Sequence, residues 1–137
     1  MHTTDTKLSH IITIPKIADE GSLCFMEGNT HIPFEIKRVY YIFDVIKNAV
    51  RGLHAHKETD QVLFCISGSI TIILDNGKEK EAISLNKPEQ GIYLPKMLWH
   101  EMVAFKPGTI LMVVASDVYK ESDYIRNYSD FLKRSGI

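Results

Sequence analysis

The chain has 137 residues, is 45% hydrophobic and 24% charged, and carries a formal net charge of −1 at pH 7. That is the composition of one globular domain, long enough to bury a core without disulfides or metals. The near-zero charge and the lack of a Lys/Arg cluster exclude a nucleic-acid footprint, and no window approaches the ~20 apolar residues of a membrane span.

The N-terminal stretch MHTTDTKLSHIITIPK has no basic segment followed by a long apolar one. No signal peptide is expected, and the protein is read as cytoplasmic. SLCFME (22–27) and EIKRVYYIFDV (35–45) are rich in β-branched and aromatic residues and predict strands. In the second, alternation puts Lys37, Val39 and Tyr41 on one face and Arg38, Tyr40 and Ile42 on the other. QVLFCISG (61–68) and SITIILDNG (69–77) follow, and DNG turns the chain into KEKEAISL (78–85). GIYLP (91–95), WHEMVAF (99–105) and TILMVVAS (109–116) complete the strands, with KPG (106–108) as the last turn. Turns at this spacing, with no long amphipathic helix between them, predict an all-β sandwich or barrel in a single domain over 1–137. One short helix is predicted at SDFLKRSG (129–136), with Ser129 as N-cap and Gly136 as the stop. Cys24 and Cys65 lie in apolar runs outside any CxxC motif and are read as small buried hydrophobes. Glu121 and Asp123 are read as a charged surface loop.

The stretch RGLHAHKETDQ (51–61) carries the chemistry. Residues i and i+2 of a strand share a face, so His54 and His56 project together, with Leu53 and Ala55 opposite. Such a pair can ligate a metal, transfer protons or simply be polar surface. The wider spacing narrows this. After His56 come four residues and Gln61, then six residues and Gly68; later come Pro95, Met97 and His100. This resembles the cupin motifs HxH(x)4E(x)6G and PxGxxH, with Gln61 in the place of Glu and Met97 in the place of Gly. The resemblance implies a cupin-type double-sheet jelly roll in which His54, His56, Gln61 and His100 face one cavity. A metal cupin would use three His and the Glu. An amide removes the anionic ligand, so the histidines are read as free acids and bases and no metal or cofactor is expected.

A closer resemblance covers the chain from about residue 20 to 130. IPFEIKRVYYIFDV, RGLHAHK, VLFCISGSITIILDNG, LPKMLWHEM and LMVVASDVYKESDYIRNY are similar to the TDP-4-keto-6-deoxy-D-glucose 3,4-ketoisomerases, small metal-independent cupins that make sugars for surface polysaccharides. This implies an isomerase that moves a ketone from C4 to C3 of a TDP-linked deoxysugar through an enediolate, for deoxyaminosugar biosynthesis. His54 and His56 would transfer protons, either one serving as the C3 base. Tyr41 would be a phenolic donor, and His100 a third acid–base group that favours the galacto product. Arg51 would hold the diphosphate through paired N–H donors, with Gln61, Arg38 and Lys37 as further substrate contacts. The Tyr41 face of 35–45 is taken to line the cavity, with Arg38 reaching in from a strand end or a partner subunit. A homodimer with exchanged or paired N-terminal strands is implied. Trp99 and Glu101 fall on the face opposite His100, with Trp99 in the core or an interface. The alternatives are a 3,5-epimerase of the same substrate, which pairs a His base with a Tyr acid, and a metal-dependent cupin enzyme.

Overall fold

A computed structural model describes residues 2–136. The six-stranded sheet contains β1 (His2–Asp5), β2 (His10–Thr13), β5 (Arg38–Ile42), β7 (Gln61–Ser67), β10 (Gln90–Leu94) and β12 (Ile110–Ala115). Their order across the sheet is β1-β2-β10-β7-β12-β5. The five-stranded sheet contains β6 (Arg51–His56), β8 (Ile70–Asp75), β9 (Lys80–Leu85), β11 (Trp99–Val103) and β13 (Tyr124–Ile125), in the order β13-β6-β11-β8-β9. A hairpin of β3 (Lys16–Ala18) and β4 (Ser22–Cys24) stands apart, and helix α1 (Tyr128–Arg134) ends the chain. This is the predicted double-sheet jelly roll.

Strand alternation sorts the core. Leu63, Cys65, Leu111 and Val113 of one sheet meet Ile70, Ile72, Leu74 and Met102 of the other in the main apolar cluster. The outer face of the six-stranded sheet buries Val62, Phe64 and Val114 under Ile14 and Ile32, with Cys24 and Met26 packed alongside. On the outer face of the five-stranded sheet, Ala55 and Trp99 are covered by Ile125 and Phe131. Trp99 is therefore core, and its ring N–H donates to Glu101 on the same face (3.3 Å). Cys65 is buried; Cys24 is half-buried, and both are free thiols.

Several boundaries differ from the sequence reading. The strand expected over 22–27 pairs only at Ser22–Cys24, and β5 is shorter than 35–45. The N-terminal strands β1 and β2 carry no sequence signal beyond IITI. Helix α1 begins at Tyr128, where the Asn127 side chain, not Ser129, accepts from the Asp130 N–H (2.9 Å).

The decisive local feature is a bulge in β6. Gly52 (φ +83°) and Leu53 (φ +59°) are both left-handed, and pairing with β11 shifts between His100 and Glu101. The extra residue turns Leu53 out to solvent and keeps His54 inward beside His100. A Cβ at Gly52 would lie 3.2 Å from the His100 ring and from its carbonyl oxygen. Gly52→Ala is expected to lose about 1–2 kcal/mol from the left-handed backbone alone, read from the denaturation midpoint. An unchanged midpoint would mean that the bulge relaxes. Met97 has φ +63°, the left-handed backbone that favours glycine.

Candidate active site

A cavity of about 400 Å³ opens between the sheets, lined by Arg38, Tyr40 and Ile42 from β5, Arg51, Gly52 and His54 from β6, and Met102 from β11. Tyr119, Tyr124 and Arg126 from the C-terminal stretch close its side. The expected Tyr41 face is therefore corrected. Tyr41 is 64% exposed on the outer face of the sheet, and Lys37 is likewise exposed and away from the cavity. Alternation defines two faces but cannot say which is inward. Pairing with β12 decides it, because Tyr40 sits opposite Val113, a residue of the inner core.

Three imidazoles cluster at this wall, and of them His54 lines the cavity while His56 and His100 are buried against it. The ring centroids of His54 and His56 are 4.9 Å apart, and those of His54 and His100 are 4.5 Å apart. Tyr124 packs against both His54 (4.8 Å) and His56 (4.5 Å). His54 Nδ1 lies 2.9 Å from the Gly52 carbonyl oxygen. An acceptor there requires the proton on Nδ1, so Nε2 carries the lone pair. His56 Nδ1 likewise faces Asp123 Oδ2 at 2.8 Å. Both Nε2 atoms are buried without a partner, and so are both ring nitrogens of His100. His100 packs behind His54 and does not line the cavity.

Burial is the main cause of the shifts here. It holds the His54 imidazole at a pKa of about 4, despite its bond to Gly52. His56 is lowered by burial against the upward pull of Asp123, and fully buried His100 lies well below the ordinary range. Neutral imidazoles are thus favoured at pH 7. Between about pH 6.5 and 4 the unfolded chain takes up the His54 proton while the folded chain does not, so stability falls as pH falls through that window. The melting temperature is expected to drop on acidification across it, less steeply in His54→Asn; parallel profiles would show that His54 is not the group responsible.

Gln61 is fully buried, and its Nε2 donates to the Tyr40 hydroxyl (2.9 Å). The Tyr40 oxygen is thereby used as acceptor, which leaves its own O–H for a ligand. Burial raises the Tyr40 phenol to about 12, so it stays protonated. A carboxylate at position 61 would instead accept the Tyr40 proton. Among the described residues, no three His, Cys, Asp or Glu side chains are arranged to hold a metal ion.

The cavity rim is cationic and aromatic. Arg38 lies over the rings of Tyr40 (5.5 Å) and Tyr119 (5.8 Å), and Arg126 over Tyr124 (4.3 Å). Arg126 is held by both carboxylate oxygens of Glu121 (2.8 and 3.0 Å). The structure thus brings together His54, His56, His100, Arg51, Arg38 and Gln61, and leaves out Tyr41 and Lys37. Sequence reasoning missed Tyr40, Tyr119, Tyr124 and Arg126, and placed Asp123 on the surface when it is buried against His56.

The model of the family described as "FdtA: WxcM-like, C-terminal" matches residues 5–136. The chain belongs to the FdtA family. A curated relative, the TDP-4-oxo-6-deoxy-alpha-D-glucose-3,4-oxoisomerase of Aneurinibacillus thermoaerophilus, is 49% identical over 124 residues, 90% of this chain and 89% of its own. The crystal structure of QdtA, a sugar 3,4-ketoisomerase from Thermoanaerobacterium thermosaccharolyticum in complex with TDP, matches with a TM-score of 0.90 and 45% identity over 92% of this chain and 93% of its own. The WlaRB TDP-quinovose 3,4-ketoisomerase of Campylobacter jejuni gives 0.88 and 50%, over 93% and 99%. Each of these likenesses covers at least 90% of this chain.

Proposed function

We propose that this FdtA-family chain is a TDP-sugar 3,4-ketoisomerase acting on TDP-4-keto-6-deoxy-D-glucose. The observation that carries the mechanism is the pair of unpartnered, buried Nε2 atoms on His54 and His56 beside a cavity bordered by arginines. Ketone migration needs removal of the C3 proton, an enediolate, movement of the O3 proton to O4, and return of a proton to C4. His54, the histidine on the cavity wall, is the carbon base. It takes the C3 proton and returns it to C4. His56 carries the oxygen-bound proton from O3 to O4. The Tyr40 hydroxyl donates to the developing enediolate oxygen, the kind of preorganised donor that contributes most to such barriers. Arg51, Arg38 and Arg126 hold the diphosphate.

All three imidazoles lie on the β6–β11 wall. In the gluco ring the C3 and C4 hydrogens are on opposite faces; in the galacto ring they share one. Removal and return from a single wall therefore gives the galacto product. We further propose a homodimer. The outer face of β5 exposes Val39, Tyr41 and Phe43, and the β3–β4 hairpin exposes Ile17 and Leu23, a patch of the kind that marks a protein interface.

The reaction is tested by NMR with EDTA-treated protein and TDP-4-keto-6-deoxy-D-glucose. A 3-keto sugar is expected, with a small H4–H5 coupling in H₂O for galacto and a large one for gluco. In D₂O, exchange at C3 and C5 with the ketone still at C4 would mean an epimerase. Activity only after added Fe²⁺ or Mn²⁺ would mean a metal-dependent enzyme. Arg51→Ala is expected to raise KM about 10-fold or more, the loss of one charge-assisted hydrogen bond, with kcat nearly unchanged. A fall confined to kcat would place Arg51 at the reacting carbons instead.

A further inference from the structure

Asp123 is a buried carboxylate whose hydrogen bonds all converge on one corner of the site. Its Oδ2 accepts from His56 Nδ1 (2.8 Å) and from the Thr59 hydroxyl (2.6 Å), and its Oδ1 from the Glu58 backbone N–H (2.7 Å). Asp123 and Thr59 are 6% and 1% exposed, so the charge is neither screened nor free to rotate. The chain around it is anchored too. The Lys57 N–H donates to the Asp123 carbonyl (2.8 Å), and Tyr124 pairs with His56 in the sheet. Taking a carboxylate this far out of water costs stability, and the three donors offset that cost.

We propose that Asp123 is a positioning residue of the reaction: it fixes the His56 proton on Nδ1, leaves Nε2 free to take the O3 proton, and stabilises the imidazolium while that proton is in transit to O4. The inference rests on the ketoisomerase reading above. It divides the labour of the HAH pair. His54 is held by a neutral carbonyl and returns to neutrality at once; His56 is held by a carboxylate that favours its charged form. The other groups facing the His56 ring are His54 on the same strand, His100 on β11, Tyr124 on β13, and the guanidiniums of Arg38 and Arg126. Burial first, and then the two guanidiniums, disfavour a cation there, and Asp123 opposes them. An aspartate that orients an imidazole and steadies its charged form is an established catalytic arrangement.

The test is a double-mutant cycle with Asp123→Asn and His56→Asn. Asp123→Asn should lower kcat about 10- to 100-fold, the usual loss for a residue that orients a functional group, with KM within about twofold and the acid limb of the kcat profile displaced. In the His56→Asn background the same change should add almost nothing, because its effect runs through His56. Full additivity, or equal losses in kcat and KM, would overturn the proposal in favour of a purely structural role. ¹⁵N long-range NMR of His56 without substrate supplies a readout independent of the reaction. The wild type should show the Nδ1–H tautomer and Asp123→Asn a mixture; an unchanged tautomer would overturn it. If the wild type does not isomerise the sugar, the ketoisomerase reading fails, while the tautomer experiment still decides whether Asp123 positions His56.

Discussion

His54→Asn is expected to lower kcat by roughly 10²–10⁴-fold, the size of a lost acid–base group, while TDP still binds. Asparagine keeps the approximate size and can still donate to the Gly52 carbonyl that His54 Nδ1 faces at 2.9 Å. It cannot accept a proton from carbon. In the proposed mechanism other side chains of the cavity, Arg38, Arg51 and Arg126, hold the substrate tail, so calorimetric affinity for TDP should stay within a few fold. The pH profile adds a second check. Burial holds the His54 pKa at about 4, and the base form is therefore retained well below the ordinary histidine range. The acid limb of kcat/KM is expected near that value and not near the model-peptide value of about 6.5. A low pKa weakens the base, and in the proposed mechanism the Tyr40 donor offsets this by lowering the energy of the enediolate. Equal losses of TDP affinity and turnover would show that His54 positions the sugar instead of reacting with it.

Phe131→Ala is expected to be the most damaging change outside the cavity. Phe131 is fully buried and packs with Ala55, Trp99 and Ile125 on the outer face of the five-stranded sheet. Its ring centroid is 5.7 Å from that of Trp99. Truncating a buried Phe to Ala typically costs about 3–5 kcal/mol. For a domain of this size that corresponds to a fall of roughly 10–20 °C in melting temperature. The consequence for activity is geometric. Ala55 lies between His54 and His56 in β6, so the helix that covers Ala55 also steadies both imidazoles. The variant should therefore lose kcat even at temperatures where it is folded. A melting temperature within a few degrees of wild type would mean that α1 is only an appendage.

The all-β class, the order of the turns and the inward pairing of His54 with His56 were legible in the chain alone. Strand periodicity and turn residues are local properties, and the HAH spacing needs only a period of two. The cupin spacings placed Gln61 and His100 correctly on inner faces, since each lies a fixed number of residues from a recognisable anchor. The N-terminal strands β1 and β2 were not legible, because short half-exposed strands carry little pattern of their own. The helix cap was missed by two residues because Asn and Ser are both good N-cap residues and Asn127 and Ser129 lie two apart.

Other features depended on contacts between distant segments. Arg38, Tyr40 and Ile42 line the cavity and Tyr41 does not, because β12 pairs with β5 in the register that sets Tyr40 against Val113. Asp123 looks like a surface charge in its own stretch, and becomes a buried partner of His56 only when β13 joins the edge of β6, 67 positions away in sequence. Likewise the meaning of Gln61 comes from Tyr40, its hydrogen-bond partner across the sheet. The sequence by itself determined which residues can do acid–base chemistry and that two of them share a face. Which nitrogen of each is free, which phenol faces the cavity and which carboxylate stands behind came from the tertiary structure, because each is set by long-range pairing and burial and none by local spacing.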